Sequence, residues 1–368
     1  MVAHGNGRRS GAQGQRVVVA MSGGVDSSVS ALLLHQKGYE VVGVMLRLWG
    51  PPGEENRCCS PEAAADARRI CDAIGAPFYM MNVEQAFERL VVRYMVEEYA
   101  AGRTPNPCLQ CNRHIRFDAL LKRARALGAE YLATGHYARV RRENGRYQLL
   151  KGRDPAKDQS YVLYMLGQRE LAQVLFPVGD QTKDHVRELA REHGLPVADK
   201  SESQELCFVP NGSYARFLET EGRLRPSPGP ILDRDGNTLG EHGGLWRYTV
   251  GQRRGLGVSA GEPLYIVELD AAKNALVVGP KEALGSRALL ARDLSYVRGA
   301  PPEGTLSGTA RIRYRSREAA ATLEPMDENR ARLVFEEPQR AVTPGQGVVF
   351  YQGDAVVGGG IIDRATTA

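Results

Sequence analysis

The sequence predicts an α/β protein: a parallel, Rossmann-like sheet wrapped by helices in the front half, a small central domain, and a C-terminal β-barrel. Three observations carry that expectation. From Arg16 to about Val209, short β-branched runs alternate with helical stretches, the pattern of parallel strands joined by crossover helices. Beyond Val209, Gly and Pro cluster at Pro226 to Pro230, Gly240 to Gly244 and Gly251 to Gly261, between short apolar strands. The tail from Ala288 to Ile362 is a series of alternating strands with turns at Gly304, Pro344-Gly345 and Gly353. The expected divisions are a leader at 1–15, a front α/β domain at 16–210, a linking domain at 211–285 and the barrel at 286–368.

Taken in order, Val17 to Ala20 reads as the first strand. A glycine turn follows, then an amphipathic stretch from about Val25 to Gln36 that stops at Gly38, then a second apolar run from Val41 to Leu46. Ser60 and Pro61 suit the N-cap and first position of a helix running to Gly75, and a further helix covers about Glu84 to Ala100. In Thr104-Pro105-Asn106-Pro107, two prolines force an extended loop that delivers Cys108 and Cys111 just ahead of the next helix. Tyr131 to Thr134 reads as a buried strand ending at Gly135 and His136. Tyr137 to Lys151 alternates around Asn144-Gly145, the clearest hairpin signal in the chain. Helices are expected at about Gln168 to Leu175 and Thr182 to His193.

Composition narrows the class. The 368 residues are 25% charged and 42% hydrophobic, which excludes wholesale disorder and fibrous repeats. No apolar run approaches the ~18 residues of a spanning helix. Met1 to Gln15 is polar and Gly-rich without an apolar centre, so it reads as a disordered leader rather than a signal peptide, and a cytoplasmic location is expected. A net charge of +5 permits a polyanionic partner without requiring one. Cysteines stand at 58, 59, 71, 108, 111 and 207. In a reducing compartment that clustering points to metal, redox or sulfur chemistry ahead of structural disulfides.

The densest motif is Ser22-Gly23-Gly24-Val25-Asp26-Ser27-Ser28, set between a strand and a helix. Adjacent glycines let the backbone approach an anion, while the hydroxyls and the first helical amides donate to phosphate oxygens. It lacks the lysine of the GxxxxGK[ST] loop and the spacing of GxGxxG, which argues against a P-loop kinase and a dehydrogenase. Asp26 suits a magnesium-pyrophosphate site. The bland alternative is a strand-to-helix turn with no ligand.

Eight segments go further: AMSGGVDSSVSALLL near the start, GRTPNPCLQCNRHIRFDAL at 102–120, ATGHYAR at 133–139, KDQSYVLY at 157–164, ELCFV at 205–209, WRYTVGQRRGLG at 246–257, RIRYR at 311–315 and AVTPGQGVVFY at 341–351. On these the chain resembles the PP-loop ATP pyrophosphatase superfamily, whose sheet is of the adenine nucleotide alpha hydrolase kind. Within it, the chain resembles the bacterial tRNA-specific 2-thiouridylases over almost its whole length. The resemblance implies ATP-dependent 2-thiolation of wobble uridine 34 in the tRNAs for Lys, Glu and Gln. The base oxygen O2 is adenylylated with release of pyrophosphate, and sulfur from a cysteine persulfide then displaces AMP.

The resemblance also distributes roles. Ala20, Met21, Ser22, Gly23, Gly24, Val25, Asp26 and Ser27 would hold ATP with Mg²⁺, and Leu46 and Gly135 would border the adenosine. All fall at the C-terminal ends of expected strands, where open sheets bind ligands, although Leu46 taken alone also fits plain core. Cys207 would carry the persulfide and Cys111 would be its partner nucleophile, by ordinary thiol exchange. The setting Leu206-Cys207-Phe208 also suits a buried small hydrophobe. The sulfur would come from a relay protein or a cysteine desulfurase.

Many relatives carry aspartate where this chain has Cys108, so a general base there does not carry over. Cys108, Cys111 and Cys207 offer three thiolates, enough for a [4Fe-4S] cluster with one open iron as the alternative to a bare persulfide; zinc using Cys58 or Cys59 is another. Asn106, Pro107 and Cys108 would border a flipped uridine, and Lys157, Asp158 and Gln159 would form an RNA-contacting turn. Arg313, Tyr314 and Gln346 would meet the anticodon arm, while His136 either contacts RNA or caps its strand. In a strand, Arg311, Arg313, Arg315 and Arg317 would share one face, which a solvated surface also explains. Two rivals remain at this point. Another PP-loop synthetase would leave Cys111 and Cys207 idle, and an RNA-binding or iron-sulfur scaffold would hold ATP without releasing pyrophosphate.

Overall fold

The computed structural model describes residues 13–50, 59–201, 206–209, 214–258 and 261–366. Most of the expected leader and Cys58 therefore lie outside the described residues. In the front half, β1 (Arg16–Met21), β2 (Glu40–Arg47), β3 (Phe78–Asn82) and β4 (Tyr131–Ala133) come first. The hairpin β5 (Ala138–Glu143) and β6 (Arg146–Lys151) and the short β7 (Val174–Leu175) follow. Five of these form one sheet, ordered β3-β2-β1-β4-β7, with every pair parallel. Val17, Val18 and Val19 at its centre are fully buried, as a parallel sheet covered on both faces requires.

Helix α1 (Val25–Gln36) leads from β1 to β2, and Ser27, Ser28 and Ser30 are buried along it. The hydroxyls of Ser28 and Ser30 donate back to the carbonyls of Gly24 and Asp26, so these small polar residues are satisfied within the helix and let its neighbours come close. Helix α2 (Pro61–Ala73) starts as expected, with the Ser60 hydroxyl accepting from the Ala63 amide. It lies hard against β2: a Cβ on Gly43 would sit 2.4 Å from Cys71 Sγ. Two long helices follow. The first, α3, runs through Glu84–Phe87, a π turn at Glu88–Val92 and Arg93–Ala100. The second, α4, runs through Pro107–Gln110, a π stretch at Cys111–Ala119 and Leu120–Ala126. Helix α5 (Lys183–Glu192) is capped by Thr182.

Three expectations change here. β3 was not foreseen, because Phe-Tyr-Met-Met-Asn has neither β-branching nor alternation. The helix expected at Gln168 to Leu175 is one turn, Gln168–Leu171, and Val174–Leu175 pairs with β4 as the sheet's last strand. The hairpin turns as predicted, with Asn144 and Gly145 both at positive φ. Yet it leaves the parallel sheet, and Leu150 of β6 pairs with Ala355 in the C-terminal sheet.

The central part contributes α6 (Tyr214–Thr220) and the strands β8 (Gly229–Leu232), β9 (Thr238–His242), β10 (Tyr265–Asp270) and β11 (Ala275–Gly279) in a sheet ordered β10-β11-β8-β9. The C-terminal strands are β12 (Gly285–Tyr296), β13 (Leu306–Arg311), β14 (Ala319–Pro325), β15 (Ala331–Arg340), β16 (Gly347–Gln352) and β17 (Ala355–Thr366). They close into a barrel because β12 pairs with both β15 and β17. Its interior is aliphatic and aromatic, with Leu289, Leu333, Phe335 and Phe350 at 2% exposure or less.

The front domain and the barrel are bolted together. Tyr161 donates its hydroxyl to the Gly347 carbonyl at 2.8 Å, and a Cβ on Gly359 would lie 2.7 Å from the Tyr164 ring. Asp158, 5% exposed, accepts from the Gly152 and Ser160 amides, the Ser160 hydroxyl and Arg311 Nη1 at 2.8 Å. Arg311 also pairs with Glu318, which Lys151 and Thr309 share. Such a pair costs most when one member is removed and the other charge stays buried. Asp158→Asn is expected to lower stability by about 3 kcal/mol in urea denaturation, with early loss of the barrel's tyrosine signal. A change under about 1 kcal/mol, typical of surface pairs, would contradict this role.

Candidate functional site

The glycine motif forms a tight turn beyond the C-terminal end of β1. Gly23 has φ +66 and presses on helix α2, where a Cβ would meet the Ala63 backbone at 2.4–2.8 Å. Gly24 is the N-cap of α1 in extended conformation and carries no side chain to cap it. The amides of the first turn of α1, which have no intrahelical acceptor, are thus left to face outward, where an anion is favoured. Ser27 shapes the turn: its hydroxyl lies 3.1 Å from that of Ser22, accepts from the Ser22 amide and donates to the Gly24 carbonyl. Ser22 is exposed beside it. Gly135 closes the other side, because a Cβ there would lie 2.8 Å from the Ser27 nitrogen. Leu46, half-buried at the end of β2, borders two apolar clusters.

The charge at this turn differs from the expectation. Asp26 is held by Lys183 Nζ at 2.7 and 2.8 Å and by the Tyr137 hydroxyl at 2.7 Å. Lys183 begins α5, 6% exposed, and brings a cation to a loop that has none of its own. A second lysine, Lys200, donates to the Gly23 carbonyl and pairs with Asp66. Neither lysine was found from the sequence, because both arrive from far along the chain. One signal was available: a cation in the first turn of a helix opposes the macrodipole, so Lys183 needs a reason to be there. With Asp26 so occupied, and with no group of three metal-ligating side chains among the described residues, the loop fits a magnesium ion carried in on phosphates with water, and not a protein-caged metal.

The thiols divide. Cys111 on α4 and Cys207 on the segment 206–209 both pack, half-buried, against one cluster containing Phe87, Met95, Ile115, Phe208 and Trp246. Leu46 borders the same cluster, so it lies next to the end of β2, and Cys59 joins it from the start of α2. Cys71 is buried elsewhere, with its thiol pushed up to about 11 by burial. Cys108 is exposed. Among the described residues no group of three or more His, Cys, Asp or Glu side chains is gathered as a metal site.

Most of the residues expected to meet RNA lie around one junction, with two corrections. Asn106 caps α4 through the Cys108 amide, and Gln346 and Pro344 clamp Thr104 just before it, by Gln346 Nε2 to the Thr104 carbonyl at 2.8 Å and the Thr104 amide to the Pro344 carbonyl at 2.9 Å. Pro107 is buried at the first position of α4. Tyr314 hydrogen-bonds Gln159, lies within electrostatic range of Cys108, and stacks obliquely on Tyr161 with centroids 6.0 Å apart. Lys157 is half-exposed on the same turn. The first correction concerns Asp158, which is a buried bolt and not an exposed turn residue. The second is that Arg311 to Arg317 do not form a strand: β13 ends at Arg311, and the rest is an irregular turn. Arg313 there donates to the Ala341 carbonyl and the Thr343 hydroxyl.

His136 is 6% exposed; its Nδ1 meets the Thr134 hydroxyl at 2.7 Å while its ring packs against Phe117 and Phe176. Of the two readings for it, the strand cap is the one this placement offers.

A barrel at the C-terminus, a four-stranded sheet in the middle, and a nucleotide-type turn beyond a parallel sheet define an ATP-utilising PP-loop protein of the HUP class. Three family descriptions match in order: tRNA methyl transferase HUP domain over residues 15–211, tRNA methyl transferase PRC-barrel domain over 216–280, and aminomethyltransferase β-barrel domain over 286–362. The tRNA-specific 2-thiouridylase MnmA of Moorella thermoacetica is 54% identical, covering 94% of this chain and 99% of its own. Those of Geobacter metallireducens and Clostridium perfringens are 51% and 45% identical, covering 96% and 95% of this chain and 98% of each relative. The chain belongs to the tRNA-specific 2-thiouridylase family of enzymes. No helix among the described residues is long and apolar enough to cross a membrane.

Two predictions arise from this geometry. Lys183→Met is expected to slow ATP-dependent pyrophosphate release about 10²-fold, measured at a temperature where the variant is still folded, with tRNA affinity unchanged; full activity would remove Lys183 from the site. The second concerns pH. Burial, with help from Arg116, pushes His136 down to about 3, below its ordinary 6.5. The unfolded chain therefore binds a proton that the folded chain refuses, so stability is lost as pH falls from about 6.5 toward 3. At pH 5 the loss from this group is about 2 kcal/mol. His136→Gln should flatten the urea-stability profile between pH 7 and 5 by that amount; an unaltered profile would contradict the buried neutral imidazole.

Proposed function

We propose that the protein catalyses ATP-dependent 2-thiolation of wobble uridine 34 in the tRNAs for Lys, Glu and Gln. One observation carries this reading: Cys111 and Cys207, far apart in sequence, pack against the same cluster, and that cluster reaches Leu46 beside the phosphate turn. ATP phosphates lie on the turn from Ala20 to Ser27, with the adenosine between Leu46 and Gly135. Magnesium, arriving with the nucleotide, supplies charge neutralisation on the pyrophosphate. Lys183 is placed to shift its charge from Asp26 toward the phosphates.

The flipped uridine enters beside Asn106, Pro107 and Cys108, a loop stiffened by two prolines and clamped by Gln346. Lys157, Gln159, Arg313 and Tyr314 flank it toward the anticodon arm. The uridine O2 attacks the α-phosphorus, and the bond to pyrophosphate breaks. The terminal sulfur of a Cys207 persulfide then bonds to C2. The Cys111 thiolate attacks the inner sulfur, the S–S bond breaks, and AMP leaves with the original oxygen. The product side is a Cys111–Cys207 disulfide, which an external thiol reduces before a relay protein or cysteine desulfurase restores the persulfide.

The test is reconstitution with ATP, a persulfide donor and tRNA lacking the modification, read by nucleoside mass spectrometry. Thiolation at position 34 is expected to vanish in Cys111→Ser and Cys207→Ser, while both variants still release pyrophosphate. Full turnover in either variant, or sulfur at another position, would reject the mechanism.

A further inference from the structure

A cleft of about 410 Å³ opens between the central domain and the barrel. Thr249, Gly251 and Gln252 form one wall, and Arg313, Arg340 and Ala341 the other. Its two guanidiniums are close enough to oppose each other, and burial together with Arg340 lowers the pKa of Arg313. Among the described residues neither forms a salt bridge. Arg313 donates to the Ala341 carbonyl and the Thr343 hydroxyl, and Arg340 lies over the Tyr265 ring at 5.1 Å. Arg311, two residues away, shows the contrast, since Asp158 and Glu318 both neutralise it. Arg340 is exposed and Arg313 half-buried, and two neighbouring cations without a carboxylate favour an anion that joins them.

The backbone of the cleft is constrained to keep this shape. Ala341 holds φ +54 although it is not glycine, and Gly251 holds φ +90 directly against it, where a Cβ would come within 2.8 Å of the Ala341 Cβ. Left-handed backbone at a non-glycine residue is kept only where its surroundings impose it. The location identifies the occupant. Thr104 Oγ1 donates to Thr249 Oγ1 at 3.3 Å, so the cleft adjoins the start of the loop that leads to Asn106, Pro107 and Cys108. Its volume exceeds that of a bare phosphate and leaves room for the attached sugars.

We propose that this cleft binds one backbone phosphate of the tRNA anticodon arm, with Arg340 and Arg313 as its cationic walls and the Gly251 turn shaping its floor. The proposal rests on the functional reading above, and it adds Arg340 and the central domain to the RNA-binding surface.

The experiment uses the full-length protein with Arg340→Ala, Arg340→Glu and Arg340→Lys, labelled unmodified tRNA and a salt series. The Ala variant is expected to bind tRNA roughly tenfold more weakly near physiological salt, and the Glu variant more weakly still. The Lys variant, which keeps the charge but loses the planar fork over Tyr265, should bind more tightly than the Ala variant. The slope of log affinity against log salt should fall by about one, the loss of a single phosphate contact, while ATP affinity and the unfolding midpoint do not change. Parental affinity and slope in both the Ala and Glu variants would overturn the proposal. Inorganic phosphate followed by ³¹P line broadening separates the sources: broadening that needs Arg340 while tRNA affinity does not would assign the cleft to a free anion and also overturn it. If the parent protein binds no tRNA, the functional reading fails by itself, and the phosphate titration still decides whether the cleft takes an oxyanion.

Discussion

The burial of Asp158 against Arg311 is the constraint from which the working arrangement follows. A carboxylate at 5% exposure needs its lone pairs filled, and here two amides, one hydroxyl and one guanidinium from the barrel fill them. That requirement fixes the turn at 157–160 to the barrel, and the turn carries Tyr161 and Tyr164 onto glycines of β16 and β17. The barrel is thereby packed directly against the front domain. Its loop at 344–346 grips Thr104, so the segment that would receive the target base is held by two domains at once.

Electrostatics at the phosphate turn follow a different logic from a P-loop. There the lysine is built into the motif; here the turn is made of glycine and serine, and Lys183 comes from the first turn of α5 to rest on Asp26. The resting pair is shielded by Tyr137, whose hydroxyl shares the same carboxylate. In the proposed function, a bound polyphosphate would draw on that ammonium, and magnesium held on the phosphates would supply further positive charge. The arrangement keeps the buried lysine compensated before the nucleotide binds, which an isolated cation 6% exposed would not tolerate.

Much of this was legible in the sequence, and the exceptions have physical causes. Val17 to Met21 and Val41 to Leu46 read as parallel strands because residues buried on both faces are continuously apolar. The glycine turn and the Asn144-Gly145 hairpin declared themselves through backbone freedom that few residue types supply. The hairpin's partner was not legible, because pairing with β17 spans most of the chain. β3 hid in five residues of weak strand character. The alternating arginines from 311 to 317 imitated a strand face, yet Arg311 is drawn inward by Asp158 and Glu318 and the chain turns immediately afterwards. The burial of Asp158 and His136 was not legible, since sequence alone does not reveal the partners that permit it. The thiols of 111 and 207 meet on one cluster only because α4 and the 206–209 segment are both folded onto Phe87 and Ile115, a tertiary fact that spacing does not encode.

The proposed function unites these features as an exchange of one base oxygen for sulfur beside an activated nucleotide. Isotope tracing follows that oxygen directly: tRNA carrying ¹⁸O at O2 of uridine 34 is converted under single-turnover conditions and the nucleotide product is weighed. Adenylylation of the base predicts one ¹⁸O in each AMP released per sulfur incorporated. Unlabelled AMP alongside full thiolation would contradict the account, since the oxygen would then have left by a route that never passed through the nucleotide.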